Sequence, residues 1–265
     1  MKSIKTLYLG ATILGAIVLA AIFAPLITHF DPTEQDLMNT LSAPSGAHWL
    51  GTDALGRDVF TRLIFGARID LTIGLVAVFL PFLIGVTLGL TTGWFGGKFD
   101  AFVMRIVDTV IAFPFYVLAI ALVFVFGPGV KSIIVAISLV GWVAYCRIVR
   151  ANVLVAKEQD YIHAAILTGL PTKRILMRHM LPNVVSQAIV FSMSDIVLSI
   201  LAIVSLGYLG LGVPIPTAEW GSMISEGQPY ILQQWWIATI PGFMVVIVGF
   251  SLSLIGDGLV ARLER

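Results

Sequence analysis

The sequence predicts an all-α integral membrane protein whose core is a bundle of six membrane-spanning helices. Of its 265 residues, 58% are hydrophobic and only 12% are charged, whereas soluble domains carry about a quarter charged residues. The mean hydropathy of +0.98 agrees with this class. The chain also contains six apolar stretches close to the roughly 20 residues that a spanning helix needs. These stretches cover residues 7–28, 71–93, 105–126, 130–148, 184–208 and 236–256.

The first stretch carries no charge between Lys5 and Asp31. Its apolar part is longer than that of a signal peptide and no A-x-A cleavage pattern follows it, so we expect a retained anchor. Residues 1–70 would then hold this anchor and an outer loop, and residues 71–265 would form the transmembrane core. Within the outer loop, apolar residues at helical spacing predict a short helix over 48–71 that lies along the outer surface.

Basic residues are distributed unequally between the two sides of the predicted bundle. Six spans return the chain to the side on which it starts, and twelve of its sixteen Lys and Arg residues fall on that side. The positive-inside rule therefore predicts a multi-pass protein with both termini in the cytoplasm. The twelve are Lys2, Lys5, Lys98, Arg105, Arg147, Arg150, Lys157, Lys173, Arg174, Arg178, Arg262 and Arg265.

Small residues in the second stretch predict close helix packing. Gly85, Gly89 and Gly93 are spaced four apart, which places them on one face of a helix. In lipid, such a face lets two helix backbones approach each other closely.

Two parts of the sequence suggest a translocation path. The segment 209–236 is too rich in Gly and Pro for one helix and too apolar for an exposed loop, so we expect it to re-enter a cavity lined by protein. Asp195 lies in an apolar run, where a charge is costly. It either contacts a solute or pairs with a polar group in the bundle. The residues predicted to line the path are Met193, Asp195, Trp220 and Met223.

The cytoplasmic segment 157–183 predicts two short helices with a break between them. Asp160 is a plausible N-cap for two turns over 161–168, and Gly169 would end them. A second helix would begin near Thr172, and Pro182 would bend it into the fifth span. A helix of two turns is marginal in water, so we expect it to gain stability by docking on another surface.

Several motifs of this chain resemble ABC importer permeases. The spacing of two alanines, a glycine and a Leu-Pro pair is similar to the "EAA" loop of that family, although His163 stands where the broad pattern has Glu. Four further motifs resemble the second-type (C) permease of the dipeptide, oligopeptide and nickel branch. The EAA positions are Ala164, Ala165, Gly169, Leu181 and Pro182; the other motifs are "RHMLPN" (178–183), "LGTDALGRDVFTRLIFGARI" (50–69), "GLGVPIPTAEWGSM" (210–223) and "IGDGL" (255–259).

This resemblance implies a six-span fold of the type I importer permease kind, located in a bacterial cytoplasmic (inner) membrane. It also implies a cytoplasmic coupling helix seated in a groove of an ATPase. The expected partners are a homologous B-type permease in a heterodimer, two cytosolic ABC ATPase subunits, a periplasmic or extracellular solute-binding protein and membrane lipid, with no nucleic acid. The expected coupling residues are Asp160, Ala164, Ala165, Leu167, Gly169, Leu170 and Pro182.

The outer motif has two interpretations. Its charged residues could brace the outer loop through ion pairs, or they could help to seat the solute-binding protein. The residues concerned are Asp53, Arg57, Asp58 and Arg62.

No motif for catalysis occurs in the sequence. Gly97-Lys98 is followed by Phe99, so there is no G-x-x-x-x-G-K-[ST] loop to hold ATP. We therefore expect a chain without catalytic residues, metal ligands or cofactors, with ATP and Mg²⁺ bound by the ATPase partners. Its cargo would be a dipeptide or oligopeptide, with nickel or a glutathione-like solute as alternatives. A secondary transporter driven by an ion gradient is the alternative from another class; it would not copurify with an ATPase.

Overall fold

The structure is a computed structural model that describes residues 2–263, and within that range it contains helices and no β-strand. Two of the helices contain only four and three residues, and two other short segments are not α-helical. One is a π-helix over Ile175–Met180 and the other a 3₁₀ helix over Gln228–Tyr230. The α-helices are α1 (Lys2–Ile22), α2 (Ala24–Ile27), α3 (Val59–Phe95), α4 (Gly97–Ile111), α5 (Phe115–Phe126), α6 (Val130–Lys157), α7 (Asp160–Leu167), α8 (Thr172–Arg174), α9 (Leu181–Tyr208), α10 (Trp220–Gly227) and α11 (Trp236–Leu263).

Five helical runs are long and apolar enough to cross a membrane, and a sixth span results if α4 and α5 count as one bent span. The prediction of an all-helical membrane protein is therefore confirmed. The five runs are Lys5–Ile22, Val59–Phe95, Val130–Lys157, Thr172–Tyr208 and Trp236–Arg262.

The prediction of residues 105–126 as a single straight helix was wrong. The structure breaks it between α4 and α5, whose axes differ in direction by 93°. Pro114 stands immediately before α5, and because a proline disfavours helical conformation in the residue before it, Phe113 leaves the helix.

The surface helix predicted over 48–71 was also wrong. Residues up to Asp58 form a loop, and α3 then runs without interruption from Val59 to Phe95, so the boundary placed at residue 70 falls inside one helix. The polar residues at the start of α3 face the protein interior rather than solvent: Arg62 is only 1% exposed.

The close packing predicted for the glycine face is confirmed between α3 and α6. A Cβ atom on Gly85 would lie 2.4 Å from the carbonyl oxygen of Trp142. A Cβ atom on Gly89 would lie 2.6 Å from that of Cys146. The two backbones therefore approach too closely for a side chain at these positions.

Helix α6 continues nine residues beyond its predicted end at 148. Arg147 is exposed, and Arg150 forms two hydrogen bonds of 2.6 Å with the Asp100 carboxylate of α4. Exposure of Arg147 and the ion pair of Arg150 leave neither charge unsatisfied, so neither arginine ends the helix. The last helix likewise extends to Leu263 instead of 256.

Candidate coupling site and outer ion-pair network

Helix α7 forms where the sequence predicts the coupling helix, over Asp160–Leu167. Gln159 has the extended backbone of an N-cap but makes no side-chain capping bond. Asp160 is therefore the first helical residue and not the N-cap, and there its charge favours the positive end of the helix dipole. Gly169 has a φ of +75°, as expected for the glycine that ends a helix.

One face of α7 is packed against its own chain. Ile162 is fully buried and Ala165 is 7% exposed. Both belong to an apolar cluster that includes Leu176 and Met180 of the π-helix. Helix α7 is therefore attached to the base of the helix that continues into α9.

The remaining surface of α7 is uncovered and carries apolar side chains beside the exposed Asp160 and His163. Leu167 points away from the packed face and is 86% exposed, and Tyr161 and Ile166, which flank that face, are about half exposed. Ala164 is exposed while Ala165 is buried, so the two alanines do not share one slim face, because neighbouring helix residues differ by about 100° in direction. Ile162 likewise serves internal packing rather than a partner.

Beyond the turn at Gly169, the chain is helical without interruption into α9. Residues Thr172–Tyr208 form one continuous helical run, in which the π-helix immediately precedes α9. The predicted bend at Pro182 does not interrupt the helix. A proline in a helix lacks an N–H and clashes with the carbonyl four residues earlier, and the wider π-turn ahead of Pro182 accommodates it. Pro182 is exposed, and Leu170 packs at the edge of the cluster below α7.

The outer motif forms a buried ion-pair network. Arg57 donates hydrogen bonds of 2.6 Å to both Asp53 and Glu226. Arg62 donates a 2.9 Å bond to the same Glu226 oxygen and lies 3.4 Å from Asp53. Since both arginines are at most 2% exposed, the network joins the outer loop, α3 and α10 from the inside.

Asp58 is the N-cap residue of α3. Its carboxylate accepts hydrogen bonds from the backbone N–H and the hydroxyl of Thr61, at 2.8 and 2.7 Å. It also lies 2.9 Å from the His48 ring nitrogen. Asp58 therefore caps α3. Its side chain is also buried, since the residue is only 4% exposed. These contacts favour the bracing interpretation of the motif, and contact with a binding protein stays a prediction.

Asp36 forms further hydrogen bonds within the outer loop. The Asp36 N–H donates to the Leu55 carbonyl over 3.1 Å. The Asn39 amide donates to the Asp36 carboxylate over 2.7 Å and lowers the pKa of that carboxyl.

Of the residues predicted to line a path, Asp195 has a partner within the bundle. The Tyr145 hydroxyl of α6 donates a 2.7 Å hydrogen bond to its carboxylate. Met193 and Asp195 are partly exposed. The structure thus supplies the internal pairing that was the alternative to solute contact, and a role in the path stays a prediction.

Trp220 and Met223 lie elsewhere, in the apolar core around α10. They are 0% and 3% exposed, so neither lines an open cavity of this chain. The Trp220 indole donates to the Leu63 carbonyl over 3.0 Å, and its backbone N–H donates to Asp70 over 3.0 Å. The four predicted path residues therefore do not form one surface.

Sequence reasoning missed three polar residues that hold these sites together: Tyr145, Glu219 and Glu226. Glu219 caps α10 by accepting from the N–H groups of Gly221 and Ser222. A weak signal for it existed, because acids are enriched near the first turn of helices, where they favour the positive end of the helix dipole. Glu226 and Tyr145 gave none, since their partners are 169 and 50 positions away.

Comparison with protein families decides the class of this chain. Residues 85–265, more than half of the sequence, match the family model described as binding-protein-dependent transport system inner membrane component. Residues 2–44 match the N-terminal TM domain of oligopeptide transport permease C. The chain belongs to the family of binding-protein-dependent transport permeases. The family assigned from the sequence motifs is confirmed.

Individual relatives of this permease match over nearly its full length. It is 39% identical to the dipeptide transport system permease protein DppC of Alkalihalophilus pseudofirmus, covering 98% of this chain and 85% of that protein. It is 40% identical to the oligopeptide transport system permease protein OppC of Bacillus subtilis, covering 97% and 85%. The probable D,D-dipeptide transport system permease protein DdpC of Escherichia coli is 37% identical, covering 94% and 84%.

Solved structures confirm the importer permease fold. Two crystal forms of the inward-facing MetNI methionine ABC transporter superpose with TM-scores of 0.62 and 0.60 at 20% and 19% identity. The matches cover 78% and 77% of this permease and 98% and 97% of the compared chains.

Proposed function

We propose that this permease is the second-type (C) transmembrane subunit of an ATP-driven importer that carries peptides across the bacterial cytoplasmic membrane. The proposal depends above all on α7, an apolar helix exposed on one side and packed on the other against the base of α9. Several exposed apolar side chains on one short helix, among them an 86% exposed leucine, are expected where another protein covers them. The names of the relatives, which are dipeptide and oligopeptide permeases, support peptides as cargo.

The partners follow from the same family. A homologous B-type permease would complete the pathway as a heterodimer. Two cytosolic ABC ATPase subunits would bind ATP and Mg²⁺, and a solute-binding protein would deliver the cargo outside. With both termini in the cytoplasm, α7 lies on the ATPase side of the membrane.

Movement of the ATPase would reach the pathway through the packed face of α7. Ile162 and Ala165 transmit a displacement to the cluster around Met180, and the continuous helix Thr172–Tyr208 carries it into the membrane. Two arrangements of the permease pair, open inward and open outward, would alternate as the ATPases close and separate.

The test compares Leu167→Arg with Leu167→Met in cells that lack the native gene. The arginine variant should remain in the membrane but fail to copurify with the ATPase and fail to import a labelled dipeptide, because a charge replaces the apolar contact. The methionine variant keeps the contact and should retain both properties. Full uptake by Leu167→Arg would contradict the docking role.

Uptake assays with labelled dipeptide, longer peptide, Ni²⁺ and glutathione separate the alternative cargoes. A strain that lacks this permease and loses only Ni²⁺ uptake would assign nickel instead of peptides. If no ATPase copurified with the permease, the result would favour the secondary transporter.

A further inference from the structure

A groove of about 460 Å³ lies between α3 and the helical run that begins at Thr172. Its α3 wall extends from Phe82 to Phe95, and its other wall from Thr172 to Val185. The α3 wall spans 13 residue steps, or about 20 Å at about 1.5 Å per residue. One leaflet of the hydrocarbon core is about 15 Å thick, so the groove is long enough for one acyl chain.

The interior of the groove suits a hydrocarbon chain. Val86, Leu90 and Leu176 form its buried floor. The only hydroxyls along the α3 wall belong to Thr87 and Thr91, and both donate to carbonyls of their own helix, at 2.7 and 2.9 Å. No hydrogen bond along this wall is therefore lost when an apolar chain enters.

One end of the groove is cationic. Lys173 and Thr172 line it there, and both are exposed. Within residues 2–263 the Lys173 ammonium has no carboxylate partner. The sequence from Tyr161 to Ser194 contains three Lys or Arg residues and no acid, so this end attracts an anion.

We propose that this groove binds an anionic phospholipid of the cytoplasmic leaflet, with an acyl chain along α3 and the phosphate beside Lys173. The inference rests on the proposed orientation, which places residue 173 at the cytoplasmic surface. Basic pockets between membrane helices on that side are suited to anionic head groups. A helix from a partner permease fits the charge less well, because the cytoplasmic ends of membrane helices are themselves enriched in Lys and Arg.

The lipid would reinforce the coupling site. The floor residues Val86, Leu90 and Leu176 belong to the same apolar cluster as Ile162 and Ala165 of α7. An acyl chain over that cluster would keep the base of the Thr172–Tyr208 run packed against α3 while α7 is displaced.

Native mass spectrometry of the full permease, copurified with its partner subunits, tests the proposal. Phosphatidylglycerol and phosphatidylcholine with identical acyl chains are titrated separately. The wild type should bind phosphatidylglycerol more tightly, and Lys173→Gln should reduce that preference about fivefold, the effect of one cation near an anionic head group. The control Arg147→Gln, which removes an exposed charge outside the groove, should leave the preference unchanged.

A second pair of variants tests the acyl-chain position. Thr87→Trp fills the groove from an exposed position and should reduce binding of both lipids, whereas Ile84→Trp, exposed on the same helix but outside the groove, should not. Equal binding of the two lipids by the wild type would overturn the proposal. So would displacement by millimolar inorganic phosphate, which would indicate a free-anion site. Loss of the partner permease in Thr87→Trp, with lipid binding unchanged, would assign the groove to a protein interface. None of these outcomes depends on which solute is transported.

Discussion

Arg57 and Glu226 form a hydrogen bond of 2.6 Å although 169 residues separate them in the sequence. The bond joins the outer loop to α10, and Arg62 shares the same carboxylate oxygen. Two positive charges are therefore held in the interior by one distant acid together with Asp53. This relationship explains why a motif with so many charges precedes a membrane helix without being exposed to solvent.

We expect Glu226→Gln to lower the free energy of unfolding by about 2 kcal/mol. Removing one partner of a fully buried ion pair costs about 3–5 kcal/mol, and the smaller figure reflects that a quarter of the Glu226 side chain is exposed. Chemical unfolding in detergent measures the change. Glu158→Gln, at an exposed position after the end of α6, is the control and should leave the unfolding free energy unchanged. Equal stability of the two variants would show that the arginines do not need this acid.

Helix α7 could be predicted from the sequence because its signals are local. A glycine nine residues after Asp160, followed by Pro171, fixes the end of α7 without reference to the rest of the chain. The glycines at 85, 89 and 93 predicted a close contact for the same reason, since spacing alone places them on one face.

The beginning of α3 could not be predicted in this way. Whether Arg57 and Arg62 face water or protein depends on Glu226, and nothing near 57–62 indicates that acid. The bend between α4 and α5 is a different case, because Pro114 was visible in the sequence. Apolar length favoured one span there, whereas the backbone constraint imposed by the proline determined the direction of the chain.

Gly89 is the position at which the packing of α3 on α6 is most easily tested. Gly89→Ala should reduce the unfolding free energy by about 1–3 kcal/mol, the usual cost of overpacking, because its Cβ would lie 2.6 Å from a backbone oxygen. Gly242→Ala in α11 is the matched control, since no heavy atom lies within 4 Å of its Cβ. Its stability should be unchanged, or higher by up to about 1 kcal/mol through helix propensity. If both variants were equally stable, the close approach would have no energetic importance.

Ala164 offers a test of docking that leaves the fold intact. It is exposed on α7, so Ala164→Trp should not disturb the cluster below the helix, but its bulk should prevent α7 from seating in the ATPase. We expect peptide uptake at least about tenfold below the wild type, which corresponds to a docking cost above about 1.4 kcal/mol. Stimulation of ATP hydrolysis by the loaded binding protein should fall in parallel. Ala164→Ser adds only one oxygen and should behave as the wild type.

Variants of the hydrogen-bonded pair Tyr145 and Asp195 can distinguish a structural role of this acid from a role in transport. The Tyr145 side chain is fully buried, and its ring meets Phe82 and Phe191 edge-on at 5.5 and 5.1 Å. Tyr145→Phe keeps these ring contacts but leaves the Asp195 carboxylate without its donor. We expect the unfolding free energy to fall by about 1–3 kcal/mol, the cost of an unsatisfied buried group.

Asp195→Asn should cost less than Tyr145→Phe, because the amide oxygen still accepts from the Tyr145 hydroxyl while the charge disappears. The double variant should then be nearly as stable as Asp195→Asn alone, since the neutral amide needs the hydroxyl less than the carboxylate does. Uptake of cationic and neutral dipeptides by Asp195→Asn completes the measurement. A selective loss of the cationic peptides would place this carboxylate on the path. Unchanged uptake of both would contradict that placement and leave Asp195 as a polar link between α6 and α9.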